Sequence, residues 1–354
     1  MCPLVKELQT RGKMEVRVCV SGQHREMLRQ VLDVFKIEPE YDLNIMKPQQ
    51  TLFDVTVRAL TFIKDVLEEY RSDVVFVHGD TTTAFAAGLA CFYLRIPIAH
   101  VEAGLRTRTI NSPFPEEFNR RALSLIARYN FAPTQIACNN LRLEGHSLDS
   151  IFITGNTGID ALRYTISDDY KSEMLDWAED SRLLVITAHR RENLGENMRS
   201  MFRAIRRVLD NYDDVKAIYP VHMNPAVQNA ATEAFDGCKK MRLIAPLDVI
   251  NFHNLMNRAY LILTDSGGIQ EEATSLGKPV LVMRDETERL EGVEAGSLKL
   301  VGTNEERIYY ACCQLLDDPA AYAAMSRAKN SYGDGYASQK IADIIECELG
   351  ITTD

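Results

Sequence analysis

Five places along the chain set acidic or basic side chains directly after short apolar runs. Where parallel strands build an open α/β sheet, ligands bind beyond the carboxyl ends of the strands, so these places come first. His78-Gly79-Asp80-Thr81-Thr82-Thr83 follows Val74–Val77. It reads either as a turn in which Asp80 or Thr81 caps the next helix, or as a carboxylate held at a strand tip for proton transfer. His100-Val101-Glu102-Ala103-Gly104-Leu105-Arg106 continues the next run. Burying an unpaired carboxylate is costly, so Glu102 either pairs with Arg106 or serves chemistry. Ser112–Arg120 has the form of a helix start, with proline near the first turn and acids at the positive end of the dipole. That role accounts for Glu116 and Glu117; only their nearness in sequence to Glu102 argues for more.

The other two places carry the marks of anion binding. Thr187-Ala188-His189-Arg190-Arg191-Glu192-Asn193 opens a helix. Two arginines at the positive end of a dipole are unfavourable unless something negative binds there, which favours a phosphate over a solvated cap. Thr264-Asp265-Ser266-Gly267-Gly268 leads into Ile269-Gln270-Glu271-Glu272. Bare backbone N–H groups of Ser266, Gly267 and Gly268 at a strand-to-helix junction suit a phosphate, and Glu272 one turn later suits ribose hydroxyls. The loop Arg284–Arg289 adds another cation.

Holding these groups requires a two-domain α/β frame. The chain has 354 residues, beyond what one hydrophobic core usually organises. Strands are predicted at Glu15–Ser21, Val74–Val77, Ile98–Val101, Tyr129–Ala132 and Ile151–Thr154. In the second half they are predicted at Leu183–Thr187, Ala217–Pro220, Arg242–Ala245, Leu261–Thr264 and Pro279–Met283. Helix-period segments alternate with them, among them Thr82–Leu94, Met198–Leu209, Ala226–Ala234, Asn251–Arg258 and Gln270–Leu276. Pro3 and Gly12 bracket a first helix, and Ser338–Leu349 forms a last one. The polar, acidic stretch Ser167–Asp180 marks the boundary between the halves.

Composition excludes several classes. Hydrophobic residues at 46% and charged residues at 25% are ordinary for a globular protein. A net charge of −10 argues against non-specific nucleic-acid binding. The longest apolar run, Ala84–Leu94, is too short for a membrane span, and the first residues lack the form of a signal peptide. The eight cysteines contain no Cys-x-x-Cys pair and read as buried thiols of a cytosolic protein. There is no Gly-x-Gly-x-x-Gly fingerprint, Walker loop or Gly-x-Ser-x-Gly elbow, and the seven histidines show no zinc-ligand spacing. An anion-binding second domain facing a carboxylate-bearing first domain suits a nucleotide sugar in an interdomain cleft, with acid–base chemistry on the sugar.

Seven stretches in order, His78–Thr83, His100–Thr107, Ser112–Arg120, Thr187–Glu192, Tyr219–Pro225, Thr264–Glu272 and Gly277–Arg289, resemble the non-hydrolysing UDP-N-acetylglucosamine 2-epimerases of bacterial type. The resemblance runs from about Pro3 to the final helix. It implies two Rossmann-like α/β domains in the glycosyltransferase-B arrangement with an interdomain cleft. On that frame residues 1–166 form the first domain, 167–336 the UDP-binding domain, and 337–354 a helix returning to the first. It implies a cytoplasmic homodimer that acts on UDP-N-acetylglucosamine through enzyme-bound UDP, with no cofactor or metal, supplying UDP-N-acetylmannosamine for surface polysaccharides. Asp80, Glu102 and Glu116 match the family's acid–base residues, and His189 its histidine near the diphosphate. Ser266, Gly267 and Gly268 match the diphosphate loop, Glu272 the ribose contact, and Arg289 a phosphate contact; Arg190, beside His189, is a further cation for the anionic ligand. Leu247 and Phe252 match positions around the uracil, and His222 a further family histidine.

The sequence also departs from the family. It enters after the family's first strand and Gly-Thr-Arg-Pro-Glu loop, and Thr274, Leu290 and Ser331 stand where the family has proline. These departures lead to an expectation of impaired activity for this exact chain. The absent first strand and Leu290 also keep open a UDP-sugar-binding paralogue or fragment, and the shared sugar-nucleotide site keeps open a glycosyltransferase of the same architecture.

Overall fold

The computed structural model describes residues 1–351 except 23, 24, 48, 49, 108 and 288. The chain divides into two compact units, Met1–Ala161 with Tyr332–Asp354, and Leu162–Ser331. Among the described residues no helix is long and apolar enough to cross a membrane.

The first unit runs α1 (Cys2–Arg11), β1 (Cys19–Val20), α2 (Arg25–Phe35), β2 (Tyr41–Asp42), α3 (Leu52–Glu69), β3 (Val75–His78) and α4 (Thr82–Leu94). It continues with β4 (Ile98–Val101), α5 (Glu116–Ile126), β5 (Tyr129–Ala132), α6 (Gln135–Leu143) and β6 (Ile151–Ile153), and α7 (Thr157–Thr165) leads out of it. Strands β3-β4-β5-β6 form a four-stranded parallel sheet in that order. Every residue of β4 and β5 is buried, and both are apolar apart from His100 and Asn130. One face of the sheet packs Val77 and Ile98 against Ala86, Ala90 and Ile63 of α4 and α3. The other packs Ala99, Val101, Tyr129 and Phe131 against Leu4 and Leu8 of α1 and Ile341 and Ile345 of the final helix. Gly104, at φ +89°, lets the chain pass against α6, where an added Cβ would run into the carbonyl of Ala137.

The strand expected over Glu15–Ser21 is a correction. Only Cys19–Val20 pairs, and it pairs with β2 in a separate two-stranded parallel ladder. The alternation of exposed and half-buried side chains is present over this stretch, but the Val18 N–H goes to the Glu40 carboxylate at 2.7 Å, not to a neighbouring strand. Periodicity reports a face; it does not supply a partner. The cysteines are also only partly as expected: all eight are free, with Cys91, Cys138 and Cys312 buried and Cys19 and Cys347 exposed.

The second unit runs α8 (Glu173–Ala178), β7 (Arg182–Thr187), α9 (Glu196–Asn211), β8 (Val215–Pro220), α10 (Pro225–Phe235), β9 (Met241–Ile244), α11 (Val249–Arg258) and β10 (Leu261–Thr264). After these come α12 (Gly267–Ser275), β11 (Val280–Val282), α13 (Leu290–Ala295), β12 (Leu298–Leu300), α14 (Glu305–Asp317) and α15 (Pro319–Ser326). Helix α16 (Ala337–Glu348) belongs to the first unit. The sheet is parallel, in the order β12-β11-β10-β7-β8-β9. Successive strand residues alternate between two cores. Leu184, Ile186, Ala217, Tyr219, Leu261 and Leu263 meet Met198, Phe202 and Ile205 of α9 and Cys312 and Leu315 of α14. Leu183, Val185, Ile218 and Ile262 meet Leu255 and Met256 of α11 and Ala273 of α12. The strand order reverses direction between β7 and β10, and such a switch point opens a crevice at the carboxyl ends of the strands.

Candidate active site

In the first unit, the β3 tip carries the first carboxylate. The chain turns at Gly79, φ +64°, and Thr81 caps α4 by accepting the Ala84 N–H at 3.2 Å. Capping therefore falls to Thr81, and Asp80 is held from elsewhere. Its carboxylate pairs with the Arg120 guanidinium, and its carbonyl accepts from Asn119 Nδ2 at 2.9 Å. Beneath the turn, the wholly buried His100 ring bonds the Gly79 carbonyl through Nε2 at 2.8 Å. Burial pushes His100 down to about 4, so the ring is neutral near pH 7 and Nε2 is its donor.

Glu102 ends β4 in the left-handed region, φ +64°, where a non-glycine residue is strained. That backbone brings its Oε2 to 3.5 Å from His78 Nε2, against the Gly79 turn. The alternative partner expected for it is a correction, because Arg106 pairs with Glu144 through two contacts of 2.7 and 2.8 Å. Asp80 and Glu102 thus stand on adjacent strand ends, since His78 is in register with Val101.

Glu116 and Glu117 open α5 side by side but have different surroundings. Glu117 is wholly buried; it accepts from Arg121 Nε and the Thr107 N–H and forms an ion pair with Arg120 at 3.3 Å. Glu116 is half-buried in the first turn, with no hydrogen bond or ion pair to any described residue. The first acid is therefore spare, while the second holds α5 together.

In the second unit, the loops after β7 and β10 meet at the switch point. Asp265 is wholly buried, and its carboxylate accepts the backbone N–H groups of His189 (2.9 Å) and Arg190 (3.0 Å) and Nδ2 of Asn193 (3.1 Å). Its carbonyl accepts Nε of Arg190 at 2.9 Å. His189 is half-exposed, its Nδ1 3.4 Å from Asp265 Oδ1, and its ring stacks on His222, with centroids 5.5 Å apart. Burial lowers the proton affinity of His189, with His222 and Arg190 adding to the effect and Asp265 opposing it.

Helix α12 begins at Gly267 behind Ser266, which makes no side-chain cap bond, so the first-turn N–H groups are left to another acceptor. Gly268 is exposed, with nothing within 4 Å of where a Cβ would stand. Arg289 Nε lies 2.8 Å from Oε1 of the buried Glu271, and the Arg289 N–H donates to Thr287 Oγ1. Glu272 lies 3.6 Å from Nε2 of the buried His253, whose Nδ1 meets Thr165 Oγ1 at 2.7 Å. Leu247 and Phe252 are half-buried against the core shared by α11 and α12.

The sequence reading passed over Asp265, Asn193 and His253. Asp265 stood in a quoted motif noted only for its Ser-Gly-Gly. An acid directly after a fully buried strand was itself a signal, because such a carboxylate needs several donors.

The fold and these groups define a class: a two-unit, Rossmann-like α/β protein with an uncapped, glycine-bearing strand-to-helix loop in one unit and strand-tip carboxylates in the other. The family model for UDP-N-acetylglucosamine 2-epimerase matches residues 6–346, and the chain belongs to that family. A Bacillus subtilis UDP-N-acetylglucosamine 2-epimerase is 54% identical over 343 residues, which are 97% of this chain and 90% of that one. An S. aureus MnaA–UDP co-structure superposes with a TM-score of 0.93 at 46% identity, covering 100% of this chain and 94% of that one. A UDP-GlcNAc 2-epimerase from Neisseria meningitidis, bound to UDP-GlcNAc, gives a TM-score of 0.90 at 43% identity, with 98% and 95% covered.

Proposed function

We propose that this chain interconverts UDP-N-acetylglucosamine and UDP-N-acetylmannosamine by inverting C2 of the sugar, without hydrolysing the nucleotide. A carboxylate takes the C2 proton as the C1–O bond to UDP breaks, giving a 2-acetamidoglucal and UDP. UDP oxygen then re-forms the bond to C1 while a proton reaches the opposite face of C2. Inversion needs proton transfer on two faces, hence more than one carboxylate, and Asp80, Glu102 and Glu116 take these roles. His189 and Arg190 serve the diphosphate with Ser266, Gly267, Gly268 and Arg289. Glu272 serves the ribose, Leu247 and Phe252 the uracil, and His222 backs His189. The observation that carries the reading is Glu102, held at a strained strand end over the turn bearing Asp80. Membership of the family and the UDP-GlcNAc bound in the N. meningitidis relative give it its substrate. In heavy water with UDP-N-acetylglucosamine, the epimer should carry deuterium at C2. Epimer that keeps protium there, or release of free sugar with UDP, rejects the reading.

We further propose a cytoplasmic homodimer. Its support is the exposed apolar set Phe53 and Val57 on α3 with Phe92 and Tyr93 on α4, two helices packed together. Light scattering should return twice the chain mass, and Phe53→Asp should lower it; a monomeric mass in the unaltered protein refutes the dimer.

A further inference from the structure

His189 and His222 are two stacked imidazoles, their planes within 12° of parallel. Two imidazolium cations that close would repel. Local bonding decides where each neutral ring keeps its proton. His222 Nδ1 accepts the backbone N–H of Asn224 at 3.1 Å, which requires a lone pair there and puts the ring's proton on Nε2. Adding a second proton would break that bond. His189 has the opposite surroundings, since its Nδ1 faces Asp265 Oδ1 at 3.4 Å, an acceptor that calls for an N–H. Asp265 cannot swing away, because three donors from the 189–193 loop fix its oxygens inside the unit. The charged and titratable neighbours of His189 are Asp265, His222 and Arg190, and among them only Asp265 favours its protonation.

We propose that Asp265 is a positioning residue that sets His189 as the Nδ1–H tautomer, while the Asn224 N–H keeps His222 as the Nε2–H tautomer. His189 thereby turns Nε2 outward as the atom that meets a ligand, with a lone pair when neutral and a proton when charged. What this atom does in turnover rests on the epimerase reading; the tautomer assignment does not.

The test is long-range proton–nitrogen correlation on the full chain with ¹⁵N-labelled histidine, the two rings assigned by loss of signal in H189Q and H222Q. In the unaltered protein His189 should carry its proton on Nδ1 and His222 on Nε2. In D265N the His189 ring should lose its single-tautomer pattern and titrate about half a pH unit lower or more, with the acid limb of C2 deuterium exchange moving in the same direction. N193A, which removes a donor but keeps the carboxylate, should leave the tautomer as it was. A wild-type His189 in the Nε2–H form, or His222 in the Nδ1–H form, overturns the proposal whether or not D265N folds. If the wild-type tautomers are as stated and C2 exchange is absent, the assignment stands and the epimerase reading falls.

Discussion

Glu102 Oε2 lies 3.5 Å from His78 Nε2, a contact reached because Glu102 adopts φ +64° at the end of β4. Left-handed backbone costs a non-glycine residue about 1–2 kcal/mol, so the position is maintained against local preference. Glu102→Gln keeps the backbone and removes the charge. It should cut C2 deuterium exchange by about 10²-fold or more, while UDP titration by calorimetry stays near the unaltered value.

Glu102→Gly separates the strain from the chemistry. Relief of the left-handed cost, less the about 0.5–1 kcal/mol of backbone entropy that glycine brings, predicts a small gain in stability. Urea unfolding should show a higher midpoint with exchange abolished. A clear loss of stability would mean that Glu102 is held by favourable contacts, not merely tolerated.

Arg120 joins Asp80 to the buried Glu117 on α5. Arg120→Met leaves Glu117 with Arg121 as its one arginine partner and releases Asp80, and breaking a buried pair this way costs about 3–5 kcal/mol. Denaturant unfolding measures the loss. The same experiment on Lys64→Met, whose pair with Glu68 is exposed, should move stability by under about 1 kcal/mol.

His100 predicts an acid limit to stability. Burial depresses its folded value to about 4 from an ordinary value of 6.5. The unfolded chain therefore binds the proton first, and stability falls as pH drops from about 6.5 toward 4. Above that window the contribution is fully present. Unfolding free energy followed across pH 4 to 7 should flatten in His100→Gln relative to the unaltered protein, roughly by one residue's share of the slope.

Arg289 is held by Glu271 through Nε and by Thr287 through its backbone N–H. Arg289→Met should weaken UDP binding about tenfold, or about 1.4 kcal/mol, with a shallower dependence on salt. It should also destabilise the unit, because the 2.8 Å contact to the buried Glu271 is lost. Calorimetric titration and urea unfolding check the two effects separately.

Much of this was readable along the chain. Ile98–Val101, Tyr129–Ala132, Leu261–Thr264 and the helix Thr82–Leu94 form over the residues their patterns predict. Their signals are local: continuous apolar runs for strands buried on both faces, and small apolar residues for a helix pressed against a sheet. Because polar residues at the ends of such runs lie at the ligand-binding edge, the candidate site followed from the strands. The ladder of β1 and β2 was not readable, since pairing depends on what lies alongside.

By itself, then, the sequence determined the α/β class, the strand tips and the chemical character of the loops, all properties of residues near one another in the chain. Only the tertiary structure decided partners. Strand order brings β10 beside β7, and so delivers Asp265 to the backbone of His189 across 76 residues. Helix packing gave Arg106 to Glu144 and Arg120 to Asp80. A charged side chain in a sequence has many acceptable counter-ions. Which one it meets depends on the packing of distant elements, and local patterns of residues carry no record of that distance.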